Sequence, residues 1–443
     1  MDKTVEVLED YANSTSFSDI NDDEKEAIKM RIADSFITAF TAISSPPTKI
    51  LLNTIGDVRG QMDSTIYFSK RKVFTPYAVM LNGCMTRYMD YNDTYLSKEA
   101  LHPSDNIPPL ITMAETKELE GKDVIRAVKV AYDIVCSFAD AVSIRDRGWD
   151  HVNYDSISSS AALASMLELN GEKFENAVSL SIINNISMRQ TRAGKLSMWK
   201  GCTVAYETMS STLAVLNASA GLTGPSDIFE GEMGFKKQVS GEFQLEIKPH
   251  VMKTMIKNYP VEYHAMSAAQ AAANLKDKLD GNIKKIDVET FKVAHTIIIK
   301  DPEKLRPQNK ETADHSMPYI IAYTLNYGEP DVHSYDDKYL NDKKILDTID
   351  KIHFKVTERF DKMYPEYLPV KISVTDQTSV KEEEIDVPKG HFRDPYTWKD
   401  LEAKARRVNP NLVELVSYVR NIENKSLVEL KEVMTNVAAE GQH

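Results

Sequence analysis

Five short stretches of the chain hold side chains of the kinds that move protons or hold anions. Asp90-Tyr91-Asn92-Asp93-Thr94, followed by His102-Pro103-Ser104, offers carboxylates, a hydroxyl and an imidazole in one loop between two helical stretches. Such groups can act as general acids and bases, and loops on a rigid scaffold carry function disproportionately. The same residues also fit turn chemistry, with Pro103-Ser104-Asp105 capping a helix from Ile107. Gly148-Trp149-Asp150-His151 sets an imidazole beside an acid that could orient it as a base, or else a buried structural histidine. Arg189, Arg192, Lys195 and Lys200 are interleaved with Met188, Leu196, Met198 and Trp199. Carboxylate substrates are held by the Arg fork and by the Lys point charge, whereas an ordinary run of cations is a solvated face. Tyr259-Pro260-Val261-Glu262-Tyr263-His264 and Asp314-His315-Ser316-Met317-Pro318-Tyr319 each put a His before an apolar helix, a place for chemistry or for packing.

The elements that must position these groups are legible from hydrophobic period. Residues 30–43 carry Ile32, Ala33, Phe36, Ile37, Phe40 and Ile43 at three- and four-residue spacing, one stripe of a helix. Residues 123–142 repeat the pattern, with Asp123 as the expected N-cap. Residues 156–169 form a helix dense in Ser and Ala, predicted to sit centrally because small side chains let neighbours approach; Asn170-Gly171 ends it. Residues 201–220 give another long helix, closed by Gly221 and Thr223-Gly224-Pro225. Beyond about residue 280 the period changes to two at 285–288, 351–356, 370–374 and, less cleanly, 383–387, which predicts half-buried strands. A helix over 317–325 lies among them, and helices over 398–408, 412–422 and 427–437 close the chain.

Composition removes several classes of function. The chain has 443 residues, 54 Lys+Arg and 66 Asp+Glu, and a formal charge of −12. Length predicts two or three domains, and 42% apolar residues exclude wholesale disorder. An acidic surface argues against nucleic acid as partner, although a local basic pocket could still take an anion. No apolar run is long enough to span a membrane, and the acidic N-terminal decapeptide does not read as a signal peptide, so a cytoplasmic protein is expected. Cys84, Cys136 and Cys202 lack the C-x₂-C spacing of metal and cluster sites and are expected as buried, reduced thiols. The nucleotide, zinc-protease and hydrolase motifs are absent.

Taken together, the clustered segments resemble the MmgE/PrpD family, which includes 2-methylcitrate dehydratases, cis-aconitate decarboxylases and iminodisuccinate epimerases. The resemblance rests on Asn82-Gly83, Met89 to Thr94, His102-Pro103-Ser104, Trp149-Asp150-His151, Gly194 to Gly201, Gly221 to Pro225, Tyr259 to His264 and Asp314 to Tyr319, in the family's order. It implies a mainly α protein: an all-α helical domain over residues 1–265, completed by helices in 397–443, and a smaller α+β lid domain over 266–396. It implies neither metal nor organic cofactor, and a homodimer. By position it implies catalytic roles for His151, Asp90, His102, Asp93 and Thr94. Substrate binding falls to Lys200 or Lys195, with Arg192, His264 and Tyr319. Asn92 stands where the family commonly has Asp, the loop before His102 is longer than in the decarboxylase branch, and Met266 lies near the position of a decarboxylase His. Glu262-Tyr263-His264 and Trp149-Asp150-His151 look like the dehydratase branch. The expected reaction is dehydration of 2-methylcitrate, with citrate as a further candidate substrate, to the aconitate-type alkene. Arg192, Lys195 and Lys200 would neutralise carboxylates, His151 or Asp90 would remove a proton, and His102 would help hydroxide leave. Decarboxylation or epimerisation on the same scaffold is the near alternative, and a non-catalytic helical oligomer the distant one.

Overall fold

The first periodic stripe becomes part of a helix longer than its pattern. In the computed structural model, which describes residues 2–56, 63–280 and 282–440, α1 spans Lys3–Ser14, α2 Asp22–Thr41 and α3 Pro46–Gly56. The polar first turn of α2 extends it: Asn21 caps it by accepting from the Glu24 amide, and Asp22, Asp23 and Glu24 complement the positive helix end. Ile28, Ile32, Phe36 and Ile37 are fully buried along its inner face.

A short hairpin, β1 (Ser64–Thr65) with β2 (Lys72–Val73), leads into α4 (Thr75–Tyr88). The loop after α4 carries a second hairpin, β3 (Tyr95–Leu96) with β4 (Ala100–Leu101), before a single 3₁₀ turn and α5 (Ile107–Thr116). Helix α6 covers Gly121–Ala141. Here the expected cap moves: Glu120 is the N-cap, and Asp123 sits three residues on, its Oδ2 accepting the Glu120 amide at 3.0 Å. The capping box thus starts the helix three residues earlier than the apolar pattern does.

The Ser- and Ala-rich segment is α7 (Asn153–Met166), and every one of its residues is buried. It packs against α6, α8 (Glu172–Ile183) and α9 (Thr203–Ser219), the arrangement that small side chains permit. Helix α4 also packs on α9, close enough that a Cβ on Gly83 would lie 3.1 Å from the Ala205 Cβ. At this crossing Cys84 and Cys202 form a disulfide. That corrects the expectation of reduced thiols for these two, which 118 residues of separation concealed; Cys136 is the buried free thiol expected. The C-terminal helices, Trp398–Val408, Leu412–Arg420 and Leu427–Glu440, return to this helical body, where the first two pack on α2.

After α10 (Met266–Lys276) comes a four-stranded sheet, ordered β6-β5-β7-β8. Its strands are β5 (Lys285–Thr290), β6 (Ile352–Val356), β7 (Val370–Thr375) and β8 (Val380–Ile385). The β5–β6 pair is parallel, with Ile286 opposite Ile352; β5–β7 and β7–β8 are antiparallel, with Ile286 opposite Val374. Alternation buries Val370, Ile372 and Val374 on one face, where α10 packs. The helix Met317–Tyr327 packs on α10 in turn.

The chain divides into two compact units. One comprises Met1–Thr191, Gly201–Ile256 and Thr397–His443, the other Arg192–Lys200 and Lys257–Tyr396. Residues 192–200 and 257–265 therefore group with the sheet-containing unit, and residues 441–443 lie outside the described residues. The fold is mainly α, with the strands of the larger sheet confined to the second unit.

Candidate active site

In the helical unit the chemistry gathers where α4 ends. Arg87, in the last turn, ion-pairs with Asp90 and lies with its Nε 3.7 Å from Asp105 Oδ2. All three are buried, so the guanidinium is shared between two carboxylates in a low-dielectric setting. Asp90 takes φ +52°, a left-handed position just past the helix end that Asp tolerates. Asn92 Nδ2 donates to Ser104 Oγ and Asp105 Oδ1, both at 3.0 Å.

Asp93 and Thr94 serve the loop rather than present open groups. Asp93 Oδ1 accepts the Ser104 amide at 2.9 Å and Oδ2 the Tyr132 hydroxyl at 2.8 Å; burial pushes its carboxyl above the ordinary range. Thr94 Oγ1 donates to the Leu101 carbonyl, and its backbone pairs with Met255.

The two expected histidines come together. His102 Nδ1 lies 2.7 Å from the Asp93 carbonyl oxygen, which can only accept, so Nδ1 carries the hydrogen. His151 Nδ1 lies 3.1 Å from Asp150 Oδ1, where the carboxylate imposes the same orientation. In a neutral ring the lone pair of each is then on Nε2. The ring centres are 5.9 Å apart.

Behind them lie groups that sequence reasoning missed. Asn106 Nδ2 donates to Asp155 Oδ1 at 3.1 Å, while its own Oδ1 accepts from Ser158 and Ser159, so the serines of α7 hold a buried amide. Burial, then the charges of Asp105, Asp150 and Glu207, raise the Asp155 carboxyl well above the usual range. Glu207 on α9 accepts from Ser187 Oγ and is pushed up by burial to about 7. The one sequence signal for Glu207 is a lone acid in a run of small and apolar residues. Asp105 shows in the sequence only as part of a helix cap, and Arg87, Asn106 and Asp155 carry no signal.

The second unit holds a cluster of lysines. Lys200 is buried, with Nζ 3.8 Å from Asp314 Oδ1. His315 Nδ1 lies 2.6 Å from that same oxygen and 3.4 Å from Lys200 Nζ; the shorter contact is the hydrogen bond, so His315 donates to Asp314 and the lysine is its neighbour. Lys310 Nζ reaches Asp314 Oδ2 at 2.8 Å. Burial pushes the Asp314 carboxyl up, but Lys200, Lys310 and His315 outweigh it and hold it well below the usual range. Glu262 accepts from the His264 ring at 2.7 Å and from its amide at 2.9 Å, and His264 Nε2 lies 3.1 Å from the Tyr364 hydroxyl. Burial opposes ionisation of Glu262; His264, His315 and Lys257 prevail and lower it. Lys257, fully buried, was also missed: it stands alone in sequence, two residues before Tyr259. Lys200, Lys257, Lys304 and Lys310 thus act on the buried carboxylates Asp314 and Glu262, a concentration of cations that could meet an anion, while Asp301 and Glu303 also face Lys304.

The other expected binders lie differently. Lys195 is exposed, beside Gly194 at φ +66°. Arg192 is half-buried, and its Nη1 donates to the Lys200 carbonyl at 3.3 Å. Tyr319 is a core residue: its ring packs with Tyr323 and Tyr335 and its hydroxyl donates to the Ser334 carbonyl. Gly201 follows Lys200 because a Cβ there would meet the Tyr88 Cα at 2.9 Å.

Comparison with known proteins fits this arrangement of segments. The MmgE/PrpD N-terminal domain matches residues 6–248 and the MmgE/PrpD C-terminal domain residues 259–425. The chain belongs to the MmgE/PrpD family. Among its relatives, 2-methylcitrate dehydratase of Escherichia coli K12 is 29% identical over 341 residues, 70% of each chain. The mitochondrial 2-methylcitrate dehydratase of Yarrowia lipolytica is 27% identical over 342 residues, 70% of this chain and 65% of that one. An alkylcitrate dehydratase from a fungal species is 25% identical over 370 residues, 73% and 71%. In this MmgE/PrpD chain no helix among the described residues is long and apolar enough to cross a membrane.

Proposed function

We propose that this protein is a cofactor-independent hydro-lyase that dehydrates 2-methylcitrate to 2-methyl-aconitate. The observation that carries the proposal is the pair His102 and His151, each oriented through Nδ1. Dehydration needs two proton transfers. One group removes a C–H proton beside a carboxylate, and another protonates the departing hydroxide; the C–H electron pair becomes the alkene and water is released. His151, neutral and backed by Asp150, takes the role of base at Nε2, and His102, as the imidazolium with protons on both nitrogens, gives its Nε2 proton to the departing hydroxide. Asp90, tied to Arg87, sets the start of the loop that carries His102. Within the second unit, Lys200, Lys257 and Lys310 are the cations suited to hold carboxylates of such a substrate. The dehydratase names of its relatives support the reaction class.

The test is turnover of 2-methylcitrate, citrate and cis-aconitate, followed by the ultraviolet absorbance of the new conjugated alkene and by release of carbon dioxide. Alkene from 2-methylcitrate supports the proposal. Carbon dioxide from cis-aconitate would move the protein to the decarboxylase reading, and silence on all three would leave the helical oligomer. EDTA should not change the rate, since no group of three or more His, Cys, Asp and Glu among the described residues could hold a metal ion.

A cytoplasmic homodimer is part of the proposal. Exposed apolar side chains on and beside α8 and α9, namely Ile183, Tyr206, Leu213 and Leu222, support a face that a second copy covers.

A further inference from the structure

Lys404 does not belong to any segment that carries the family resemblance, yet it is among the most enclosed cations of the helical unit. It lies on the C-terminal helix Trp398–Val408 and is fully buried. Its Nζ is 2.7 Å from Asp34 Oδ1 of α2, donates to the Tyr91 carbonyl at 3.1 Å, and sits 3.7 Å from the centre of the Tyr91 ring. An ammonium removed from water is costly unless charge, hydrogen bond and ring face are all in place, so these contacts hold one another in register.

We infer that Lys404, held by Asp34, is a positioning residue that fixes the loop Asp90–Thr94, and through it His102, for the reaction proposed above, on which this inference rests. Tyr91 stands between Asp90, paired with Arg87, and Asn92, bonded to Ser104 and Asp105. Two residues on, the Asp93 carbonyl accepts from His102 Nδ1. A shift of the Tyr91 main chain is therefore passed to the imidazole. The other end of the loop is held by the same helix: Arg31, one turn before Asp34, donates from Nε to Thr254 Oγ1 at 2.8 Å and from Nη2 to the Thr254 carbonyl at 2.7 Å. The next residue, Met255, pairs with Thr94. Helix α2 thus clamps both ends of the loop, and at the Tyr91 end Lys404 bridges the two.

The experiment compares Lys404→Met, Asp34→Asn and the double variant, each as the full chain. Lys404→Met strands a buried carboxylate and is expected to lower the melting temperature. The double variant removes both charges and should recover most of that loss. If Lys404 positions the loop, kcat stays reduced in the double variant by roughly tenfold or more while KM changes little. Ethylammonium should restore part of the kcat of Lys404→Ala, because it can refill the vacated cation site. Amide hydrogen exchange should speed up across residues 89–102 in both the single and double lysine variants. A double variant that regains wild-type kcat along with its melting temperature overturns the inference, as does unchanged exchange in that loop. Should the wild-type protein turn over none of the substrates, the proposed reaction fails, and the exchange measurement alone decides whether Lys404 holds the loop.

Discussion

His102 and His151 stand with ring centres 5.9 Å apart and planes tilted by 55°, each with its Nδ1 committed to an oxygen behind it, the Asp93 carbonyl for one and Asp150 for the other. Two imidazoles so oriented can divide acid and base work, and the division is testable. His151→Gln keeps approximate size and hydrogen bonding but cannot accept a proton. The variant is expected to fold normally by circular dichroism and to bind substrate. Its kcat should fall by about a hundredfold or more, the lower range for loss of a general base. Near-wild-type kcat would assign the base to Asp90 or His102.

The two lysines left open by sequence differ sharply in burial. Lys200 is enclosed beside Asp314, and Lys195 is exposed. Lys200→Ala should lower kcat/KM by about two orders of magnitude, roughly 3 kcal/mol of transition-state stabilisation, and Lys195→Ala should behave as a surface change. Steady-state kinetics on 2-methylcitrate checks both. Equal, small effects would make the basic segment a solvated face.

Stability should carry the mark of Glu207. Its folded pKa, about 7, exceeds the ordinary 4.5 because burial disfavours the carboxylate. Between these values the folded state binds a proton that the unfolded state has lost, so this residue makes stability fall as pH rises from about 4.5 to 7. Glu207→Gln removes that loss while keeping an oxygen for Ser187. Little difference in melting temperature is expected near pH 4.5, and a gain worth up to about 3 kcal/mol above pH 7. A gain independent of pH would show that ionisation is not its cause.

The Cys84–Cys202 bridge predicts thiol counts. Denatured without reductant, the chain should react with a thiol reagent at one cysteine, Cys136, and at all three after reduction. Mass spectrometry of the alkylated protein reads the result directly.

Much of the scaffold is legible in the sequence alone. The stripe of α2, the small residues of α7 and the alternation of β5, β6 and β7 are local patterns, and local patterns survive folding. Ends moved where a polar first turn lay outside the pattern, as at Asn21 and Glu120. In the site, His102 and His151 stood out because each lies in a polar motif. Glu207, Asp155 and Lys257 did not: each is a single ionisable residue whose meaning comes from desolvation by elements remote in sequence. Tyr319 misled for the opposite reason, since its motif neighbours His315 and Asp314 join the charged cluster while its own side chain points into the core.

That the helical unit is assembled from three separate lengths of chain bears on the order in which it can be made. The tyrosine gripped by Lys404 leaves the ribosome 313 residues ahead of that lysine, which at about 5–20 residues per second is roughly 15–60 s of translation. During that interval the main length of the sheet-containing unit, Lys257–Tyr396, is synthesised whole. The usual sequence of birth is thereby inverted: the second unit can finish folding on the nascent chain while the first still waits for its last helices, and a messenger truncated before the codon for Lys404 yields a helical body whose loop is never clasped.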